Sequence, residues 1–128
     1  MKLTNNFNLS EFQCKCGCKM PADVEENIKE LADNLQVLRD VIGRIDLTNA
    51  YRCEEHNADV GGATDSQHIK GKAADIKSST LNPSETASVV DDLMKIEWFK
   101  IGGIGIYNTF THVDIRGVRA RWSKTKSK

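Results

Sequence analysis

The segment "PADVEENIKELADNLQVLRDVIG", residues 21–43, constrains the fold more than any other. Its apolar positions Val24, Ile28, Leu31, Leu35, Leu38 and Ile42 are separated by alternating gaps of four and three. That spacing is one face of an α-helix. Pro21 suits the first turn and Gly43 the stop. A one-sided apolar stripe must be covered by other elements, and the downstream sequence supplies them. "RIDLTNAY" alternates Ile45 and Leu47 with polar neighbours, as a strand does. "EEHNADVGG" reads as a short helix closed by Gly61 and Gly62, and "AADIK" as a second strand.

"NPSETASVVDDLMKIEW" begins with Asn82 as N-cap, Pro83 in the first turn and Glu85 completing a capping box. Ala87, Val90, Leu93, Met94 and Trp98 are expected to face inward. "IGGIGIYNTFTHVDIRG" reads as two strands joined by a turn near Asn108. No repeat or linker interrupts the chain. The expectation is one α+β domain over residues 1–128, with a small, mostly antiparallel sheet packed by helices. Residues 1–20 form a cysteine-rich arm, and the basic residues 123–128 a solvated tail.

Composition narrows the function. Lys plus Arg equals Asp plus Glu at 18 each, a balance that argues against an electrostatic nucleic-acid binder. No apolar run of roughly 18 residues is present, so membrane insertion is not expected. The N-terminal "MKLTNNFNLSEF" has neither an apolar h-region nor a small-residue cleavage site, so a secretory signal is not expected either.

Two of the chain's three histidines stand near aspartates in short apolar runs. In "THVDIRG", strand alternation puts His112, Asp114 and Arg116 on one face and Thr111, Val113 and Ile115 on the other. In "SQHIKGKAADIK", a loop turning at Gly71 could return His68 to the side of Asp75, and Ala73 and Ala74 permit close packing there. Two imidazoles and one carboxylate make a three-ligand set for Zn²⁺ with a fourth position open. Such a set leaves net positive charge, which acidifies water and polarises carbonyls.

"YRCEEHNADVGGATDSQHIKGKAADI" followed by "GGIGIYNTFTHVDIRG" closely resembles the zinc D-Ala-D-Ala carboxypeptidase family. Its relatives include phage L-alanyl-D-glutamate endolysins, vancomycin-resistance dipeptidases and the hedgehog signalling domain. The family pattern Ser-x-His-x-x-Gly-x-Ala-x-Asp is matched by Ser66, His68, Gly71, Ala73 and Asp75, and its later His-x-Asp by His112 and Asp114. The likeness covers roughly residues 9–122, and its short phage or prophage branch begins with a similar "SEFQCKCGC". The resemblance implies a hedgehog-like fold and zinc held by His68, Asp75 and His112. It also implies that Arg52 grips a substrate carboxylate or carbonyl, where a guanidinium fork suits better than an ammonium; otherwise Arg52 forms a surface ion pair. Ser66 either hydrogen-bonds near the site or stabilises its turn. Gln67 is a candidate polar contact with substrate.

Zinc peptidases usually need a carboxylate that moves a proton from the attacking water to the leaving amine. In several branches it lies three residues before the last zinc histidine, where this chain has Thr109. Asp114 is the favoured replacement, as the base or else as a partner that orients a ligand; Glu54 and Glu55 are weaker candidates. His56 could stabilise an oxyanion or simply cap a local hydrogen bond. Cys14, Cys16, Cys18 and Cys53 could bind a structural Zn²⁺, form disulfides or stay reduced.

The reading that follows is a zinc-dependent peptidase, of carboxypeptidase or endopeptidase type, acting on peptidoglycan stem peptides or cross-links. It is expected to be a monomer that stays cytoplasmic until released and then works at the bacterial wall, as a phage lysin or virion-associated protein. The competing reading is a catalytically silent zinc module that recognises wall peptide or a protein partner.

Overall fold

The computed structural model describes residues 1–125; the end of the basic tail, 126–128, lies outside the described residues. After a 3-10 turn at Leu9–Phe12 come α1 (Ala22–Ile42), β1 (Ile45–Asn49), α2 (Glu54–Asp59) and β2 (Ala73–Ser78). Then follow α3 (Pro83–Lys95), β3 (Gly103–Ile106), β4 (Thr111–Asp114) and β5 (Ala120–Ser123). The strands form one sheet in the order β1-β2-β4-β3-β5. All pairs are antiparallel except β3–β5, which is parallel. The domain is therefore α+β with a mixed five-stranded sheet.

Helix α1 buries Val24, Ile28, Leu31, Leu35 and Leu38, and Gly43 ends it at φ 86°, a left-handed conformation that glycine adopts without a Cβ penalty. Asn82 and Glu85 form the reciprocal capping box at the start of α3, with Asn82 Oδ1 accepting from the Glu85 amide at 2.8 Å. Both helices cover one sheet face, where Ala74, Ile76, Ile104 and Val113 join Leu31, Leu35, Val90 and Leu93 in the core. Each fully buried Leu or Ile there contributes roughly 1.5–3 kcal/mol. No described helix is long and apolar enough to cross a membrane.

Three features depart from the sequence expectations. Trp98 does not face inward: α3 stops at Lys95, Glu97 turns the chain at φ 64°, and Trp98 is left 62% exposed. Phe99 enters the core instead, because the Leu93 carbonyl accepts from both the Trp98 and Phe99 amides and folds the chain back. Strand β5 was not anticipated, and it takes in Ser123, the first residue of the expected tail. The 3-10 turn was likewise not anticipated; it buries Phe12 and brings the N-terminal arm to β1, where the Phe12 carbonyl accepts from the Tyr51 amide at 3.1 Å.

Candidate metal centre

The uncovered sheet face carries the site, and strand register assembles it. Asn49 pairs with Asp75, Asp75 with His112, His112 with Gly105, and Gly105 with Trp122. These five positions form one rank across all five strands. Directly paired residues share a face, so Asp75 and His112 meet without any loop to position them. His68 joins from the loop before β2. Gly71 turns that loop at φ 73°, and a Cβ there would meet the Val24 carbonyl oxygen at 2.9 Å. Only glycine fits both the conformation and the contact.

The three side chains are buried, and one donor atom from each lies within 4.8 Å of the other two. Hydrogen bonds decide which atoms these are. His68 Nδ1 is 2.7 Å from the Ala50 carbonyl, which can only accept, so Nδ1 carries the proton and the Nε2 lone pair faces Asp75 Oδ1 at 3.3 Å. His112 Nε2 donates to Asp114 Oδ2 at 2.7 Å, which leaves Nδ1, 3.2 Å from the same Asp75 oxygen, as the ring atom a metal would take. Two imidazole nitrogens thus converge on one carboxylate oxygen, and together they make the donor set a cation would take. Ligands at the ~2.05 Å typical of zinc, at the corners of a tetrahedron, stand about 3.3 Å apart. The spacing found here fits that edge.

Compared with known protein families, residues 5–114 match the family described as Peptidase M15, a span that includes all three ligand candidates. The chain belongs to the peptidase M15 family. No curated protein matches the chain closely enough for comparison. Membership makes it a metallopeptidase by family, with a His-Asp-His site in place to bind the metal and a peptide as the class of substrate.

The M15 site opens into a cavity of ≈ 560 Å³, in which Arg52, Ser66 and Gln67 lie on the wall beside the ligands. Arg52 donates its backbone amide to the His68 carbonyl at 3.1 Å, while its side-chain Nε is buried without a partner. Ser66 Oγ accepts from the His68 amide at 3.1 Å, so its hydroxyl stabilises the ligand's turn. His56 and Glu55 are not among the cavity's lining residues, and Glu54 lines a different depression. Thr109 sits in a third one, beside Ile76 and Pro83.

Asp114 shares the His112 face as alternation predicts, but the structure does not turn its carboxylate toward the cavity. It contacts the imidazole nitrogen opposite the one facing Asp75, and it is 0% exposed. Arg116 donates to it through Nε at 2.9 Å and Nη2 at 2.7 Å, and the Gly103 amide donates at 2.7 Å. Burial alone would raise the Asp114 pKa; hydrogen bonds from His112, Arg116 and Gly103 outweigh it and hold the group ionised below the usual carboxylate range. The lone pairs a base would use are occupied. A Cβ at Gly103 would lie 2.4 Å from Asp114 Oδ2, so that glycine makes room for the carboxylate.

Sequence reasoning missed the opposite wall. Trp122 lies over Gly105, where a Cβ would be 2.4 Å from the indole, and its ring centroid is 4.9 Å from that of His112. Arg116 stacks on the same indole at 5.5 Å. Tyr107 stacks with Phe110 at 4.4 Å and accepts a hydrogen bond from Trp122 Nε1 at 3.0 Å. Indole nitrogen can only donate, so the Tyr107 hydroxyl proton stays free for another acceptor. The alternating "GIGI" of β3 was the available signal: its bare face has to be filled by neighbours, here Asp114 and Trp122. Asp65 also lines the cavity, with its side chain 90% exposed and 3.4 Å from Lys70.

Proposed function

We propose that this chain is a zinc-dependent peptidase that hydrolyses peptide bonds in peptidoglycan stem peptides or cross-links. The observation that carries the reading is the convergence of the His68, Asp75 and His112 lone pairs in a cavity whose wall holds an unpartnered arginine nitrogen. A buried donor without a partner costs about 1–3 kcal/mol, and a bound carboxylate or carbonyl would supply that partner. Stem peptides offer free carboxylates, which suits Arg52 as the clamp.

A zinc ion held by His68 Nε2, Asp75 and His112 Nδ1 supplies Lewis acidity toward water and the scissile carbonyl. The other roles fall to the chain's own groups. Asp114 holds the His112 ring by its Nε2 proton and so keeps Nδ1 free as a donor. Tyr107, having accepted from Trp122, presents its proton to the substrate carbonyl. Asp65 and Asp75 are the carboxylates among the cavity's lining residues. Asp75 is assigned to the metal, which leaves Asp65, exposed on the cavity wall and paired with Lys70, as the carboxylate that would take the proton from the attacking water and return it to the leaving amine. Ser66 stays with the turn, and Gln67 contacts the peptide backbone. Activity at the wall follows from this substrate, after release of the protein from the cytoplasm.

Mass spectrometry of muropeptides incubated with the zinc-loaded protein tests the reading. New termini appearing with wild type, and about a hundredfold more slowly with Asp65→Asn, support it and identify the bond. A second reading, a non-catalytic wall-peptide binder, draws on two observations: Thr109 lies away from the cavity and Asp114 is fully engaged. Zinc-loaded protein that binds muropeptides at saturation and leaves every one intact would establish that reading instead.

A further inference from the structure

All four cysteines of the chain converge outside the cavity. Cys14, Cys16 and Cys18 come from the N-terminal arm, and Cys53 from the segment joining β1 to α2; their sulfurs lie within 4.8 Å of one another. Sγ–Sγ distances are 3.3 Å for Cys14–Cys16, 3.5 Å for Cys16–Cys53 and 3.8 Å for Cys14–Cys53. A disulfide requires about 2.05 Å, so none of these pairs is bonded. Sulfurs bound to zinc at ~2.3 Å in a tetrahedron stand about 3.8 Å apart, and the cluster lies close to that spacing.

The backbone supports the same arrangement. Gly17, at φ 81°, turns the arm, and its amide donates to the Cys14 carbonyl at 3.0 Å, which folds the alternating cysteines toward one point. The Cys53 amide donates to Cys14 Sγ at 3.4 Å and the His56 amide to Cys53 Sγ at 3.4 Å. Amide donors directed at sulfur favour thiolate, the form that binds metal. Four thiolates close the coordination shell and leave no open position, the hallmark of a structural ion.

We propose that Cys14, Cys16, Cys18 and Cys53 form a tetrathiolate Zn²⁺ site that fastens the N-terminal arm to the segment presenting Arg52. Arg52 immediately precedes Cys53, and its amide is bonded to the His68 carbonyl, while the Tyr51 amide is bonded to Phe12 of the arm. The ion thus sits at the junction of arm, clamp and ligand loop. No disulfide joins the four cysteines, and metal analysis separates a zinc site from free thiols. The site does not depend on the peptidase reading, and a protein without hydrolytic activity would hold it equally.

Metal analysis of protein purified under reducing conditions tests the proposal. Wild type is expected to carry two zinc ions per chain. The His68→Ala/His112→Ala variant keeps one, and Cys16→Ser/Cys18→Ser loses the other. Cobalt loaded into the double-alanine variant should show intense thiolate-to-metal charge transfer and tetrahedral ligand-field bands, a readout that needs no cysteine variant to fold. Hydrogen exchange at the Tyr51 amide should rise at least tenfold in the double-serine variant. A single zinc in wild type that the double-alanine change removes would overturn the proposal. So would cobalt spectra without thiolate bands, or thiols that all react freely after zinc loading.

Discussion

Replacing Asp114 by Asn separates the role given it here from the role of a base. The wild-type carboxylate accepts from His112 Nε2, from Nε and Nη2 of Arg116 and from the Gly103 amide. An asparagine that keeps its oxygen toward His112 must turn its NH₂ toward Arg116 or Gly103, where donor meets donor. The ring then loses its fixed tautomer, and the cost falls on metal affinity. Removing an outer partner of a ligating histidine typically weakens binding ten- to a hundredfold, about 1.4–2.7 kcal/mol.

That loss can be isolated from general destabilisation. Zinc stabilises the folded state according to the ratio of its free concentration to Kd, so a tenfold weaker site loses about 1.4 kcal/mol of stabilisation at any saturating concentration. For a chain of this length that is about 4–6 °C of Tm, or twice as much for a hundredfold loss. The measurement is the difference in Tm with and without zinc for wild type and variant, together with Kd from chelator competition. The apo variant will melt lower as well, because Arg116 loses a buried partner, but this subtraction removes that term. Unchanged Kd with abolished turnover would refute the reasoning, since the carboxylate would then act on the reaction and not on the ligand.

Three further outcomes are expected. Arg52→Gln should raise KM for carboxylate-bearing muropeptides about 10- to 100-fold, the worth of a charged hydrogen bond, while Tm is unchanged or higher because a buried orphan nitrogen is removed. Gly105→Ala forces the Trp122 indole off its seat and should cost about 1–3 kcal/mol, with red-shifted emission from Trp122 in a Trp98→Phe background. Asp91, held down at about 2 chiefly by its hydrogen bond with Arg121, ties α3 to β5. Its folded pKa is depressed, so its contribution is complete above pH ~4 and is lost as pH falls toward 2. After screening, Asp91→Asn should cost about 1–2 kcal/mol near neutrality and flatten the acid limb of stability against pH.

Periodicity exposed the elements that bury a regular face. Helices α1 and α3 carry the 3.6-residue pattern with caps at their ends, and β1, β2 and β4 alternate visibly. Trp98 continues the α3 spacing on paper, but a left-handed turn at Glu97 overrides it, and nothing in residue type announces that turn. Strand β5 escaped notice because "ARWS" is short and half-exposed and its partner β3 is parallel and separated from it by β4. Alternation placed Asp114 on the His112 face. It could not tell which ring nitrogen the carboxylate would meet, because that depends on Gly103 leaving space on the adjacent strand.

The two candidate centres have different physical origins, and this should govern how they respond to metal removal. Asp75 and His112 are opposite one another in an antiparallel ladder, so their approach is a property of register; a slip of one residue by either strand would turn its ligand into the core and part the pair. Hydrogen bonds to Ala50 and Asp114 fix both rings whether or not an ion is bound. The catalytic candidate is therefore preorganised by a sheet that the core already stabilises. The cysteines lie outside the sheet, on a turn of the arm and a connecting segment, with the arm itself anchored by the buried Phe7 and Phe12 rings and by the Tyr51 amide's bond to Phe12. Sulfurs brought together there repel as they ionise, and a shared cation would offset that repulsion. Stepwise chelation should consequently loosen the cysteine turn, residues 14–18, while the His68–Asp75–His112 geometry persists.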